Sequence, residues 1–548
     1  MILQSRRHSA GLRYFSARLA IIFPMPLSKL LATFALVCLA ACGGGTGPVT
    51  PPIVVDPPPV GRPTLTSNYR ASGHAAAGDV LVHLFEWRWT DIATECQQVL
   101  GPAGYKAIQV SPPMEHAIIG SNPWWERYQP VSYSVDKSRS GTGAEFADMV
   151  SRCKAAGVDI YVDAVINHMS GGSGTGSNGT VYTKYNYPGT WQASDFHPAC
   201  QVNNYQDAAN VQDCELVNLS DLNTGSPTVR RKIADYLVSF ARLGVAGFRV
   251  DAAKHIQPVE LDAIYALANQ TLAAEGRPLI YTFNEVIDSG NEAVHASDYF
   301  GLEFGSGGSS DITEFKARGI GDKFLNTGTQ RVADLNTFSA ANWSLIPSDK
   351  AVIFLENHDT QRNAGNPGAG YRDGQTYRLA MVYLLGQPYG YPSVMSSYAF
   401  DRGTQSGRDA GPPSDAAGNT KAVSCASSLE TAAIGQWVCE HRDPTVARMV
   451  GFRRAVAGTD ITWRWDDGSN AIAFSRGAKG FVAINRESAA LSQTIPTGLA
   501  AGTYCDRISG GRTGTTCVGT TLVVASDGTI ALALPAMSAV AIDQTTKL

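Results

Sequence analysis

Between about residue 78 and residue 455 the chain alternates short apolar runs with amphipathic stretches. The runs are Val80–Phe85, Ala107–Val110, Val158–Val165, Gly247–Val250, Leu279–Phe283, Tyr299–Phe304, Val352–Leu355 and Ser393–Met395. Between them Glu145–Ala156, Thr228–Leu243, Leu261–Ala274 and Gln375–Leu385 carry a helical pattern. Repeated βα units with buried, β-branched strands predict a parallel sheet covered by helices, and eight such strands predict a (β/α)8 barrel. From Met169 to about Leu222 the rhythm stops and Gly, Asn, Thr and aromatic residues take over. So long an irregular connection predicts a small inserted subdomain over 169–222, stapled by cysteines and a metal. The barrel then spans 75–168 and 223–457. After about residue 458 the period becomes two, over Ile461–Asp466, Ala471–Ser475, Gly480–Asn485, Gly502–Asp506, Thr520–Ala525 and Thr529–Ala533. This predicts a C-terminal antiparallel β-sandwich over 458–548.

A chain of 548 residues with 44% hydrophobic and 17% charged residues is globular, with two or three domains. Its formal net charge of -4 and lack of a basic block speak against a nucleic-acid partner and suit a neutral ligand such as a sugar. Residues 1–41 read as an export signal, with translation starting at Met1 or, from the flanks of the apolar run Leu30–Ala41, at Met25. Leu39-Ala-Ala-Cys42 resembles a bacterial lipobox, which makes Cys42 a lipidated first residue and 42–74 a Gly/Pro-rich tether. Gly43 is not the aspartate that retains such proteins at the inner membrane. An exported lipoprotein of the outer membrane, or a secreted protein, is therefore expected, touching the membrane through its lipid alone. Of ten cysteines, Cys38 and Cys42 fall in this segment; the remaining eight suit four disulfides.

Barrel strands deliver chemistry at their carboxyl ends. Asp163, Asn167 and His168 follow the third strand; Arg249, Asp251, Lys254 and His255 the fourth; Glu285 the fifth; Asn357, His358 and Asp359 the seventh. Cleaving a glycosidic bond takes one carboxyl that keeps its proton and one that stays ionised. Arg249, two residues before Asp251, shares its side of the strand and suits it to the ionised role. Glu285 suits the acid, Asp359 a third carboxylate gripping hydroxyls, and His168 and His358 donors to sugar or developing charge.

Four segments carry a resemblance: Asp163-Ala-Val-Ile-Asn-His168, Gly247-Phe-Arg-Val-Asp-Ala-Ala-Lys-His255, Asn284-Glu-Val-Ile-Asp288 and Glu356-Asn-His-Asp359. In order and spacing they resemble the signature regions of the alpha-amylase family. His83-Leu-Phe-Glu-Trp-Arg-Trp89, Asn122-Pro-Trp-Trp-Glu-Arg-Tyr-Gln-Pro130, Val394-Met-Ser-Ser-Tyr398 and Trp437-Val-Cys-Glu-His-Arg442 make the chain most similar to the animal-type, chloride-dependent group, over about residues 75–548.

The resemblance implies endo-hydrolysis of alpha-1,4-glucans with retention. Asp251 would be the nucleophile, Glu285 the acid/base and Asp359 the transition-state stabiliser, with Arg249, His168 and His358 around them. It implies an α-glucan bound on Trp124, Trp125 and Tyr128, with Lys254 and His255 among the contacts, in a monomer. It implies Ca2+ held by Asn167, Asp221 and the main-chain carbonyls of Gln212 and His255, an oxygen set that suits the ion. It also implies the disulfides Cys96–Cys153, Cys200–Cys214, Cys425–Cys439 and Cys505–Cys517. One departure stands out. The group's chloride is held by an arginine, an asparagine and a second basic residue; Arg249 and Asn357 match, but the third position is Ser393. Weak or absent chloride dependence follows. A maltose-forming or transglycosylating member, or a non-catalytic starch-binding lipoprotein, is the alternative.

Overall fold

The computed structural model describes residues 70–299, 309–366 and 368–548. Among them eight parallel strands close a barrel: β1 (Leu81–Leu84), β2 (Ala107–Val110), β3 (Asp159–Ala164), β4 (Gly247–Val250), β5 (Tyr281–Asn284), β6 (Ser309–Thr313), β7 (Ala351–Ile353) and β8 (Tyr391–Ser396). Each strand pairs with the next in sequence, and β8 returns to β1 through Leu81 opposite Ser393. Every position of β1, β2 and β4 is buried, as strands covered on both faces require.

Local signals place the surrounding helices. A reciprocal cap between Thr142 and Glu145 starts α1 (Gly143–Ala155). Prolines start α2 (Pro227–Leu243) and α3 (Pro258–Ala274), and Gly244 ends α2 at a left-handed φ of 103°. Further on come α4 (Gln375–Gly386) and α5 (Pro444–Ala455).

The sixth strand is not the apolar run Tyr299–Phe304. Tyr299 ends a 3-10 turn, residues 300–308 lie outside the described residues, and the paired strand is β6. Its Ser-Ser-Asp-Ile-Thr sequence hides it because polar groups there bond the neighbouring strand β5 and Ser72. Ser310 accepts from Thr282 (2.9 Å) and Asn284 (2.8 Å), and Asp311 from Ser72 (2.6 Å) and Tyr281 (2.8 Å).

Between β3 and α2, His168–Met169 pairs with Ser220–Asp221, and Ser173–Thr175 with Val181–Thr183. A helix missed by the pattern, Ala208–Asp213, is capped by Asp207. Four disulfides join Cys96 to Cys153, Cys200 to Cys214, Cys425 to Cys439 and Cys505 to Cys517.

The C-terminal part is a two-sheet sandwich. One sheet orders β9 (Ile461–Asp466), β10 (Ala471–Arg476), β11 (Gly480–Asn485) and β16 (Ser538–Asp543). The other contains β12 (Leu491–Pro496), β13 (Gly502–Cys505), β14 (Thr521–Val524) and β15 (Thr529–Leu534). The period-two pattern missed β12, a mostly exposed strand, and the alanine-bearing β16. β10 and β11 are buried at all six positions, because one face packs on the second sheet and the other on the barrel's helices. Arg476 reaches from β10 to the Gly386 carbonyl ending α4 (2.5 Å), and Arg453 of α5 to the Gln387 carbonyl (2.6 Å).

Candidate active site

The ends of β3, β4 and β5 stand side by side, with Val250 in register with Ala164 and Asn284. The next residues on β4 and β5 are therefore Asp251 and Glu285, on adjoining strand ends. One guanidinium serves three carboxylates there. Arg249 Nη1 donates to Asp163 Oδ1 (2.7 Å) and Asp251 Oδ1 (2.5 Å), and its Nη2 lies 2.6 Å from Glu285 Oε1. All four side chains are buried or nearly so, which makes these charge-assisted contacts strong and their loss costly.

Burial pushes the carboxyls of Asp251 and Glu285 up. Arg249 opposes that shift at both, and the charge of Asp251 adds to it at Glu285. The two groups thus share one cation and repel each other's charge, so that ionising one favours the proton on the other. The other oxygen of Glu285 accepts the amide of Ala252 at 3.0 Å. That amide points at Glu285 because Ala252 takes a left-handed φ of 49°, a conformation no feature of the sequence announces.

Asp163 is fully enclosed and raised by burial to about 7; Tyr128 donates to its second oxygen at 2.8 Å. Burial and Glu285 push Asp359 up as well, while a 42% exposed side chain leaves solvent to moderate that shift. His358 stacks face to face on Tyr128 (5.1 Å, 4°), and burial followed by Arg249 keeps its imidazole well below its usual range. His168 bonds the Tyr128 carbonyl (3.0 Å) and is lowered by burial to about 4. Both imidazoles are neutral at pH 7.

Trp124, Trp125 and Tyr128 share one 3-10 turn, Trp124–Tyr128, rather than an extended segment. Both indoles are half-buried; Trp124 donates to the Arg408 carbonyl (3.1 Å) and leans on Phe85, Tyr128 and His358. Lys254 sits apart from the carboxylates, bonded to the Ile287 carbonyl (2.7 Å) and to Glu292. The ring of His255 bonds the Val211 carbonyl (2.8 Å), tying the helix Ala208–Asp213 to the turn after β4.

The segments predicted to hold a cation adjoin one another. Asp221 pairs with His168 across the short ladder, the Asn167 carbonyl accepts from Leu222 (3.0 Å), and Gln212 adjoins Val211. Asp221 is 2% exposed; one oxygen bonds His197 (2.7 Å), and the other is buried without a hydrogen-bond partner. Burial raises this carboxyl to about 7. An orphaned buried carboxylate oxygen beside neutral oxygens fits a hard cation. Among the described residues no group of three His, Cys, Asp or Glu side chains supplies an alternative metal site. Below Glu285, Arg249, Asn357 and Ser393 line a cavity of about 20 Å³, room for one water-sized occupant. Arg249 is the one lysine or arginine in its lining among the described residues.

Residues 104–393 match the family described as alpha amylase, catalytic domain, and residues 464–545 match alpha amylase, C-terminal all-beta domain. An alpha-amylase of Tribolium castaneum is 46% identical over 83% of this chain and 91% of its own length. A pancreatic alpha-amylase of Rattus norvegicus is 43% identical over 83% of this chain and 92% of its own. Alpha-amylase I of Eisenia fetida, solved as a Glu-to-Gln variant with maltohexaose, superposes with a TM-score of 0.78 at 38% identity, covering 85% of this chain and 97% of that one.

These relatives correct one expectation. They are animal enzymes, one named pancreatic, and they support secretion outside the cell, not a bacterial outer-membrane lipoprotein. Cys42 lies outside the described residues. No helix among the described residues is long and apolar enough to cross a membrane. With matching catalytic and C-terminal domains, and relatives that align along most of its length, the chain belongs to the alpha-amylase family.

Proposed function

We propose that the cleft cuts internal α-1,4-glucosidic bonds of starch, glycogen and maltooligosaccharides by double displacement with retention. Asp251 attacks the anomeric carbon while Glu285 gives its proton to the leaving oxygen; water, deprotonated by Glu285, then releases the sugar from Asp251. Asp359 grips hydroxyls and spreads the charge of the oxocarbenium-like state, with His358 as a neutral donor and His168, its ring proton given to the Tyr128 carbonyl, beside them. Trp124, Trp125 and Tyr128 offer ring faces to the glucan, and Lys254 and His255 stand at the rim. The observation that supports this reading is the Arg249 bridge, which gathers Asp251 and Glu285 around one cation on adjoining strand ends, so that one carboxyl ionises readily and the other is favoured to keep its proton.

The barrel in this reading runs over 75–168 and 223–457, the insertion over 169–222 and the sandwich over 458–548, behind an export signal. A monomer is part of this reading. Calcium, held by Asn167, Asp221 and the carbonyls of Gln212 and His255, would supply charge that fixes the insertion against the turn after β4. Rigorous chelation then lowers activity and melting temperature together; a fully chelated protein with both unchanged excludes the site. With Ser393 where a second cation would stand, chloride is dispensable.

The direct test is a timed starch digest with product anomers resolved, alongside Glu285→Gln. Retained α products of mixed length are expected from the wild type. The variant is expected to bind maltooligosaccharide and cut none. Maltose as the sole early product favours the exo-acting alternative, and inverted anomers rule out the assignment of Asp251.

A further inference from the structure

Arg362 ends the turn Thr360–Arg362, three residues beyond Asp359, and is 7% exposed. Nη1 donates to the His358 carbonyl at 2.8 Å, while Nε and Nη2 have no hydrogen-bond partner. What surrounds the rest of the charge is ring faces. The guanidinium carbon lies 5.0 Å from the Phe85 ring, 5.2 Å from Trp124, 5.2 Å from Tyr398 and 4.4 Å from Phe400. Each of these is within cation–π range. A buried guanidinium is expensive, and an apolar chain of the same length would fill this space without that cost.

The rings of the cage continue into the cleft. Phe85 stacks on His358 (5.2 Å, 27°), His358 stacks on Tyr128, and Trp124 meets His358 edge-on (5.6 Å). Arg249 lies over the Tyr128 ring at 5.9 Å. Two arginines therefore meet one run of rings. Arg249 is tied to the catalytic carboxylates, and Arg362 to the strand end of β7 and the platform tryptophan.

We propose that Arg362 is a positioning residue of the glucan cleft. Its planar cation locks Trp124 and the His358–Asp359 strand end to each other, so that the sugar platform and the cleavage point move as one body. The proposal rests on the hydrolase reading above. The bond to the His358 carbonyl sets the height of the strand end, and the face on Trp124 sets the tilt of the indole. Neither a lysine nor an aliphatic chain can do both, since a lysine lacks the plane and an aliphatic chain lacks the donor. The titratable and charged groups that feel Arg362 are His83, His358, Asp359, Tyr371, Arg372 and Tyr398. At Asp359 the cation opposes the upward push of burial, and at His358 it adds to the downward one.

The test compares Arg362→Met and Arg362→Lys with the wild type, reading kcat and KM on maltoheptaose across pH, and melting temperature. Arg362→Met is expected to lose on the order of 10- to 100-fold in kcat/KM, largely through KM. Its acid limb is expected to move up by about one pH unit as Asp359 loses a cation. Arg362→Lys is expected to restore the limb but not KM, because charge returns without the plane. If both variants keep wild-type KM and limb, or lose activity only in step with melting temperature, the positioning role is overturned. Should Arg362→Met fail to fold, Phe400→Leu removes one face of the cage. It is expected to raise KM with the limb unmoved, and an unchanged KM there overturns the role equally. A wild type that releases no sugar from starch overturns the hydrolase reading instead.

Discussion

Tyr128→Phe separates the two duties of that residue. The ring stays, with its stack on His358, but the hydroxyl that donates to Asp163 at 2.8 Å is gone. Asp163 would keep Arg249 on one oxygen (2.7 Å) and a long contact to Gln109 (3.3 Å) on the other. A hydrogen bond to a buried charge contributes about 1.5–3 kcal/mol. At roughly 1.4 kcal/mol per pKa unit, its loss raises the Asp163 carboxyl by about one to two units above a value that burial already puts near 7. Once Asp163 protonates, the full charge of Arg249 turns on Asp251 and blunts the nucleophile. The acid limb of kcat/KM should therefore move up by about one to two pH units while KM holds near the wild-type value.

Stability follows the same carboxyl. Its folded-state value lies above that of an unfolded aspartate, so its contribution is present at low pH and is lost as pH rises through about 7. In the variant that loss deepens, and the gap in melting temperature from the wild type should widen between about pH 5 and about pH 8. The assays are a pH series on maltoheptaose and scanning calorimetry on the same samples. A raised KM with a stationary acid limb would refute the argument, because it would mean that the hydroxyl serves the sugar and not Asp163.

Ser393→Lys adds a second cation to the cavity below Glu285; chloride should accelerate the variant several-fold in halide-free buffer and leave the wild type unchanged. A strong chloride response in the wild type defeats that reasoning. The disulfides should rank by the chain they close. The Cys96–Cys153 link, spanning a separation of 57, contributes about 4 kcal/mol. The Cys505–Cys517 link, spanning 12, contributes about 3 kcal/mol. Paired alanine variants in calorimetry test the order, and its reversal would mean that native-state contacts outweigh loop entropy.

Legibility in the sequence tracked how directly burial writes itself into residue type. β1 to β5 each carry an apolar run and were found within two residues. β6 was missed because its Ser310 and Asp311 bond the hydroxyls of Tyr281 and Thr282 and the amide of Asn284 on β5, so the strand is polar where it is buried. The carboxylates of the cleft were readable because strand ends place them, yet the bridge among them depends on a register that only the folded barrel fixes. Ala252 and Arg362 left no trace: one acts through a backbone angle, the other through rings drawn from the ends of β1 and β8 and the turn at Trp124. Lys254 shows another limit, since nothing in the sequence announces that Glu292 and the Ile287 carbonyl hold its ammonium.

The sheet shared by barrel and sandwich has a practical meaning. β10 and β11 have no outer face to present to water, and the Arg476 side chain fastens the junction to a main-chain carbonyl of the barrel side. A cut at the linker before Ile461 would strip Phe474 from its neighbours Tyr383 and Gly386 and lay bare an apolar wall on both fragments. The two parts should melt in a single transition and resist exchange for the matching halves of distant relatives. For engineering, the unit of inheritance is the pair.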